Sequence, residues 1–172
     1  MKTRFTILIC LSSCLILSCS QEAGNTGKFA AFNMVNAAEP MQGLSTGGQP
    51  SLQDLKLLAE SGTKVVINLR TKGEFKRFDE KKVVEDLGMT YVSIEIAGSD
   101  GITVANAKRL DDALNNLEQP ALVHCASSNR VGGLLAYRAF KFQDKTAEEA
   151  FAFGKRAGMS STEKRVKKLL GL

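Results

Sequence analysis

Histidine is nearly absent from this chain, and that absence limits the chemistry available to it. Only one of the 172 residues, His124, is a histidine. Sites with two or more histidine ligands from one chain are therefore excluded, which rules out most histidine-rich zinc and iron centres. The sequence also lacks a Walker-type loop, a dinucleotide-binding fingerprint and the repeated aromatic-basic pattern of nucleic-acid binders. We expect no metal, no cofactor and no nucleic-acid partner.

Cysteine is also scarce outside one short segment, because Cys10, Cys14 and Cys19 all lie within the first nineteen residues. Two basic residues there precede an apolar run over residues 5–17. That run is shorter than the roughly 20 residues that span a bilayer, and its length is typical of a secretory signal peptide. We predict that residues 1–18 are a signal peptide and that the protein is exported.

The end of this segment is similar to a bacterial lipobox. Residues 16–19 read Ile-Leu-Ser-Cys, which makes Cys19 the predicted lipidation site and mature N-terminus. Residues 11–14 fit the lipobox consensus slightly better, but they would leave an unusually short apolar run. We expect residues 19–36 to form a lipidated, flexible tether that anchors the protein in the bacterial cell envelope, facing the periplasm. An ordinary cleaved signal, giving a secreted protein, is the alternative.

Residues 37–172 alternate between strand and helix patterns, which indicates one α/β domain with a mostly parallel sheet covered by helices on both faces. Strands are predicted at 64–70, 91–96 and 121–124. Helices are predicted after Ser51, before Gly88, over 104–117, after about residue 130, after Thr146 and from about 161 to 171.

One loop of this domain carries residues suited to a reaction, and it follows the predicted strand 121–124. Cys125 leaves the strand, a short polar loop follows, and Arg130 opens the next helix. Backbone amides at such a turn bind anions, and they favour the thiolate form of a cysteine, which is the nucleophile. The guanidinium of Arg130 can donate paired hydrogen bonds to two oxygens of a tetrahedral anion. The predicted phosphate-binding loop comprises Ala126, Ser127, Ser128, Asn129 and Arg130.

His124 precedes the predicted nucleophile, yet neighbouring residues of a strand point to opposite faces. We therefore expect His124 to lie beneath the loop and support it, not to act as a general base for Cys125. A cysteine-protease interpretation is correspondingly weak. The alternative for Cys125 is a small buried core residue.

Three motifs in order carry a family resemblance: residues 48–51 (Gly-Gln-Pro-Ser), residues 66–70 (Val-Ile-Asn-Leu-Arg) and residues 124–133 (HCASSNRVGG). They resemble the cysteine-dependent tyrosine and dual-specificity phosphatases. The similar bacterial branch comprises the phosphatase-like domain of β-lactamase-hydrolase-like proteins and the phosphatase domain fused to NAD kinases. The resemblance spans roughly residues 38–142. It implies a phosphatase-like fold in which Cys125 is the thiolate nucleophile and Arg130 binds phosphate.

The loop departs from that family pattern in three ways. Four residues separate Cys125 from Arg130, whereas phosphatases usually have five; four is also typical of rhodanese-type sulfurtransferases. Ser128 replaces the usual mid-loop glycine, and Asn129 is the residue expected to tolerate a positive φ. Val131 replaces the usual hydroxyl residue after the arginine.

Phosphatases of this type also need an acid that protonates the leaving oxygen. Asp100, between two glycines and 25 positions before Cys125, is the best-placed candidate, and an ordinary turn residue is the alternative. Glu74 is a weaker acid candidate. Arg70, at the carboxyl end of its strand, is expected to be a solvated surface residue, and the alternative is that it adds positive charge to the pocket.

Three functions remain open from the sequence. The first is a phosphatase that acts on a phosphorylated protein or small molecule. The second is sulfur transfer through a Cys125 persulfide, and the third is a non-catalytic phosphate-binding module. The substrate and the oligomeric state do not follow from the sequence.

Overall fold

A five-stranded sheet forms the centre of the domain. The computed structural model describes residue 29 and residues 31–115 and 119–172. The strands are β1 (Ala38–Met41), β2 (Leu44–Gly47), β3 (Val65–Asn68), β4 (Thr90–Ser93) and β5 (Ala121–His124). Their order in the sheet is β1-β2-β5-β3-β4; β1 is antiparallel to β2, and all other pairs are parallel.

The helices of the described residues cover both faces of this sheet. They are α1 (Leu52–Glu60), α2 (Glu80–Asp86), α3 (Val104–Asn115), α4 (Asn129–Phe142), α5 (Ala147–Arg156) and α6 (Glu163–Leu170). One core cluster contains Val123 of β5 with buried residues of α3 to α6, and the other contains Leu122 with buried residues of α1 and α2. Neighbouring residues of β5 thus pack on opposite faces, and the predicted α/β class is confirmed.

Two helices begin at capping boxes: the one at Thr146 was predicted, whereas Ser51 was predicted only as a cap. The Ser51 hydroxyl accepts a hydrogen bond from the Asp54 amide (3.1 Å), and the Asp54 carboxylate accepts one from the Ser51 amide (2.8 Å). The Thr146 hydroxyl and the Glu149 carboxylate make the same reciprocal pair at α5.

The sequence patterns missed the hairpin of β1 and β2. Strand β2 reads Leu-Ser-Thr-Gly, which has no apolar alternation, yet all four of its residues are buried. It is buried because it lies between β1 and β5 within the sheet and beneath helices, a position that local periodicity does not report. Gly43 makes the turn with a φ of +79°, which only glycine adopts readily.

The predicted signal peptide and Cys19 lie outside the described residues. The part of the predicted tether within them packs against the domain: Met34 is buried, and the Val35 carbonyl accepts a hydrogen bond from the Gly48 amide (2.8 Å). The segment boundaries predicted at residues 18 and 36 stay predictions. No helix among the described residues is long and apolar enough to cross a membrane.

Candidate active site

The carboxyl ends of three neighbouring strands bring the three sequence motifs together. His124, the last residue of β5, is in register with Gly47 of β2 on one side and with Asn68 of β3 on the other. The chain leaves these ends through the motifs at 48–51, 69–70 and 125–130. Ligands of open parallel sheets bind at this edge, so the topology supports a site here.

Cys125 lies at the base of the loop and is only 1% exposed. Its amide donates a hydrogen bond to the Gly47 carbonyl (3.3 Å), and the Gln49 amide donates one to the Ala126 carbonyl (3.3 Å). A Cβ at Gly48 would lie 2.9 Å from the Ala126 carbonyl oxygen and would also overlap Val35. The glycine of the Gly-Gln-Pro-Ser motif therefore allows two loops to approach closely.

The left-handed residue of the loop is Ser128, with a φ of +65°, and the prediction that Asn129 would hold the positive φ is wrong. Asn129 is instead the first residue of α4, and its Oδ1 accepts hydrogen bonds from the amides of Ser160 (2.7 Å) and Ser161 (2.6 Å). The Ser128 hydroxyl donates to the Ala157 carbonyl (2.8 Å). These tertiary contacts offset the roughly 1–2 kcal/mol cost of a left-handed serine.

The loop ends at the N-terminus of α4, where backbone amides have no intrahelical acceptor. Among the described residues, nothing accepts a hydrogen bond from the amides of Ala126, Ser127, Asn129 or Arg130. Four free donors around a helix N-terminus suit an anion.

Arg130 is held by a carboxylate that approaches the end of its guanidinium group. Its Nη1 and Nη2 donate to Glu74 Oε1 and Oε2 at 2.7 Å each, and Nη1 also donates to the Ile96 carbonyl (2.9 Å). The hydrogen bond from Arg130 holds the pKa of Glu74 at about 2, well below its usual 4.5. Glu74 raises the pKa of Arg130 in turn, and Cys125 adds to that shift, which places its sulfur close to the guanidinium.

This pairing leaves one edge of Arg130 available. A guanidinium has five N–H groups, and Glu74 and the Ile96 carbonyl take three of them. The Nε–H and the remaining Nη2–H lie on the same edge, and two oxygens of a phosphoryl group bind to such an edge in bidentate fashion. Glu74 therefore orients Arg130 without occupying the Nε–H and the Nη2–H that would donate hydrogen bonds to an anion.

His124 is fully buried beneath the loop, where the alternation of the strand places it. Its Nε2 lies 3.1 Å from Glu80 Oε1, on the face covered by α1 and α2, while Cys125 packs with the core on the other face. The imidazole therefore faces away from the reacting end of the loop. A support role for His124 stays a prediction that this position agrees with.

Comparisons with known proteins place this geometry in a fold family. The sequence matches no family model and no curated protein. A DUF442 protein from Shewanella putrefaciens CN-32 superposes with a TM-score of 0.66 at 19% identity, over 85% of this chain and 96% of that chain. A Neisseria meningitidis Z2491 protein superposes with a TM-score of 0.66 at 18% identity, over 78% of this chain and 99% of that chain. The core domain of a PP-IP phosphatase from S. cerevisiae, bound to citrate, gives 0.59 at 17% identity, over 80% and 86%.

The chain has the fold of the cysteine-dependent phosphatases. The phosphatase-like fold predicted from the three motifs is thereby confirmed, over nearly the full length of these solved domains. Because the identities are below 25%, the superpositions establish this fold and leave the reaction to be argued from the site.

Asp100 occupies an exposed turn beside the phosphatase-like loop. The turn follows Ile96, whose carbonyl contacts Arg130, so it borders the site. Within the described residues, Asp100 makes no hydrogen bond or ion pair with Cys125 or Arg130, and its role as an acid stays a prediction. The carboxylate that does reach Arg130 is Glu74, which is ionised at neutral pH and cannot donate a proton in this arrangement.

The expectation that Arg70 would be a solvated surface residue is wrong. Arg70 is 7% exposed, its Nη2 lies 3.0 Å from Glu80 Oε2, and its guanidinium stacks on the Phe75 ring at 4.5 Å. It is buried because Glu80 supplies a counter-charge inside the fold. Sequence reasoning missed Glu80 altogether, since it lies in a stretch where charged residues normally face water.

A surface groove lies next to the loop, although none of the residues 125–130 lines it. The groove has a volume of about 920 Å³ and runs between the start of α1 and the segment 74–78, and Gln49 and Glu74 line its end near the loop. Leu52, which lines it further along, is 47% exposed. No group of His, Cys, Asp and Glu within the described residues has the arrangement of a metal site.

Proposed function

We propose that the protein is an exported phosphatase in which Cys125 attacks a phosphate monoester held by Arg130 and the loop amides. The observation that carries this proposal is the convergence of three features at one point. A buried cysteine follows β5, the loop after it has amides without acceptors, and Arg130, which interacts with the Cys125 side chain, keeps two N–H groups that neither Glu74 nor Ile96 takes. The fold neighbours described as phosphatases support the same conclusion.

The reaction follows from the chemistry of these groups. The Cys125 thiolate attacks phosphorus, an S–P bond forms, and the P–O bond to the leaving group breaks. The amides and the free edge of Arg130 stabilise the charge on the phosphoryl oxygens. The leaving oxygen takes a proton from Asp100, when the exposed turn 97–101 brings it over the site. Water then attacks phosphorus, phosphate leaves, and the thiolate is regenerated.

The groove beside the loop would bind the organic part of the substrate. It combines the apolar surface of Leu52 with the basic residues Lys76 and Arg77, so it suits a substrate that carries both apolar and anionic groups. A phosphorylated protein segment or a phosphorylated small molecule fits this description.

The export part of the proposal rests on the sequence of the first nineteen residues. Lipidation at Cys19 would place the domain at the periplasmic side of a membrane, anchored through the acyl chains. Metabolic labelling with a fatty acid tests this directly. Label on the wild type that is absent from Cys19→Ser supports lipidation, whereas label on both, or on neither, contradicts it.

Sulfur transfer is the second candidate, and the loop length together with the ionised Glu74 favours it. Four residues separate Cys125 from Arg130, and the carboxylate at Arg130 is not a proton donor. In this reaction the Cys125 thiolate attacks the outer sulfur of thiosulfate, a persulfide forms and sulfite leaves. A thiophilic acceptor such as cyanide then takes the sulfur as thiocyanate, and no acid is needed.

A parallel assay distinguishes the two reactions. Full-length wild type, Cys125→Ser and Asp100→Asn would each be tested for hydrolysis of aryl and alkyl phosphates and for thiosulfate-to-cyanide transfer. Phosphate release that Cys125→Ser abolishes and Asp100→Asn reduces supports the proposal. Sulfur transfer that Asp100→Asn leaves unchanged supports the second candidate. Neither activity, with inorganic phosphate still bound, would contradict both and indicate a phosphate-binding module.

A further inference from the structure

The carboxylate of Glu80 is a buried junction beneath the catalytic loop. It lies at the start of α2 and its side chain is 4% exposed. Oε1 lies 3.1 Å from Gln49 Nε2 and 3.1 Å from His124 Nε2, and Oε2 accepts from Asn68 Nδ2 (2.9 Å) and Arg70 Nη2 (3.0 Å). Burial raises the pKa of Glu80, but His124, Arg70 and Gln49 together lower it by more, so the pKa lies below its usual value and the carboxylate is ionised.

These four partners come from the ends of the strands that build the site. Gln49 follows β2, Asn68 ends β3, and His124 ends β5. Glu80 therefore cross-links three adjacent strands at the edge where the loop begins. Buried polar groups that share one acceptor in this way hold each other in a single arrangement, since displacing one leaves others unsatisfied.

The first connection from Glu80 leads to Cys125 through His124. An ionised carboxylate beside Nε2 favours the tautomer that carries its proton there. Neither ring nitrogen makes a hydrogen bond of regular geometry among the described residues, and the 3.1 Å approach of Nε2 to Glu80 Oε1 is the polar contact that holds the ring. The contact with Glu80 thus fixes the ring that immediately precedes the nucleophile.

The second connection leads to Arg130 through Arg70 and Phe75. Glu80 pairs with Arg70, and the Arg70 guanidinium stacks on Phe75 at 4.5 Å. Phe75 is the neighbour of Glu74, which holds Arg130 in the bidentate contact. An ordered Phe75 thereby fixes the backbone from which Glu74 reaches the catalytic arginine.

We propose that Glu80 is a positioning residue for both Cys125 and Arg130, linking them through His124 on one side and through Arg70, Phe75 and Glu74 on the other. The inference rests on the proposed phosphatase site, because it assigns Glu80 a role in that site's geometry. Glu80 touches neither the substrate nor the reacting atoms. Its effect is to hold two groups from different strands at the separation that the reaction needs.

Glu80→Gln is the informative substitution. Glutamine keeps the shape but replaces one acceptor oxygen with an NH₂ group, which faces two of the four donors whichever way the amide turns. Asp111→Asn is the matched control. Asp111 accepts a hydrogen bond from Arg138 Nε at 3.0 Å, both side chains are under 10% exposed, and the pair joins α3 to α4 away from the loop.

Three measurements on the full chain test the proposal: kcat and KM for an aryl phosphate, the affinity for orthovanadate by calorimetry, and the ¹⁵N spectrum of the imidazole. The last is unambiguous because the chain has one histidine. For Glu80→Gln we expect vanadate affinity and kcat to fall about tenfold to a hundredfold, with the Nε2-protonated signal lost or mixed. Asp111→Asn should lower the melting temperature but change kcat less than twofold and leave the imidazole spectrum intact.

The double variant with Glu74→Gln tests the second connection. If Glu80 acts through Glu74, the combined loss of vanadate affinity is smaller than the product of the single losses by threefold or more. The proposal is overturned if Glu80→Gln and Asp111→Asn change the vanadate affinity equally, or if the imidazole signal of Glu80→Gln is that of the wild type. It is also overturned if the affinity loss of the double variant equals the product of the two single losses. A different result is a wild type that hydrolyses no phosphate ester while Glu80→Gln still weakens vanadate binding and changes the imidazole spectrum. That result would contradict the proposed function and leave the Glu80 inference standing.

Discussion

Replacing Glu74 with glutamine removes the negative charge that holds Arg130 and leaves one of its two acceptor oxygens. In the wild type, both oxygens accept from Arg130 at 2.7 Å, and Oε1 also accepts from the Thr71 amide and hydroxyl. The glutamine variant can keep only part of this arrangement. We therefore expect a loss of stability and a weaker grip on anions.

The size of the stability loss follows from the pKa of Glu74. A shift from 4.5 to about 2 corresponds to roughly 3 kcal/mol. Glu74 is 30% exposed, so solvent screening reduces the figure, and we expect a loss of about 1–2 kcal/mol in the free energy of unfolding at pH 7. Urea denaturation measures it. Glu85→Gln is the control, because its pair with Lys81 is exposed and should contribute under about 0.5 kcal/mol.

The sign of the pH dependence is fixed by the lowered pKa of Glu74. Its contribution is fully present above pH 4.5 and is lost as the pH falls towards 2, where the folded protein also protonates the carboxyl. The difference between wild type and Glu74→Gln should therefore shrink steadily below pH 4.5. A difference that is constant from pH 7 to pH 3 would refute the ion-pair explanation.

Phosphate binding decides whether Glu74 orients Arg130 or competes with the ligand. Because the free edge of Arg130 lies away from Glu74, we expect Glu74→Gln to weaken binding of inorganic phosphate by about tenfold, equivalent to 1.4 kcal/mol. Isothermal titration calorimetry measures it. Tighter phosphate binding in the variant would show that Glu74 occupies the anion's place and would refute the reasoning.

Two further substitutions test the loop. Gly48→Ala places a Cβ 2.9 Å from the Ala126 carbonyl oxygen, so we expect it to destabilise the fold by about 1–3 kcal/mol and to displace the loop, as seen in thermal melts and in loss of phosphate binding. Asn129→Ala leaves the amides of Ser160 and Ser161 without their acceptor, and because both contacts are exposed to water we expect a loss of about 0.5–1.5 kcal/mol in urea denaturation. An unchanged stability in either variant would contradict the corresponding contact.

From residue 51 onwards, the order of strands and helices was predictable because it depends on local patterns. The apolar run at 121–124 becomes β5, and the capping residues Ser51 and Thr146 begin helices where expected. Cys125 and Arg130 could be singled out for the same reason, since both belong to one short loop whose spacing is visible in the sequence, and their catalytic roles stay predictions.

The supports of the site depend on contacts between distant residues, and these were not predictable. Glu74 reaches Arg130 across 56 positions, and Ser128 adopts the left-handed conformation because the Ala157 carbonyl, 29 positions away, accepts its hydroxyl. Arg70 and Glu80 look like solvent-exposed charges in the sequence, and only their mutual burial shows otherwise. No local pattern reports a counter-charge brought in by the fold.

The most direct test of the central claim is the covalent intermediate. Full-length protein would be mixed with an aryl phosphate, quenched in acid within one turnover and digested for peptide mass spectrometry. The account predicts one phosphoryl group on Cys125 in the wild type and none in Cys125→Ser. A Cys125 peptide that stays unphosphorylated while thiosulfate converts it to a persulfide would contradict the phosphatase claim.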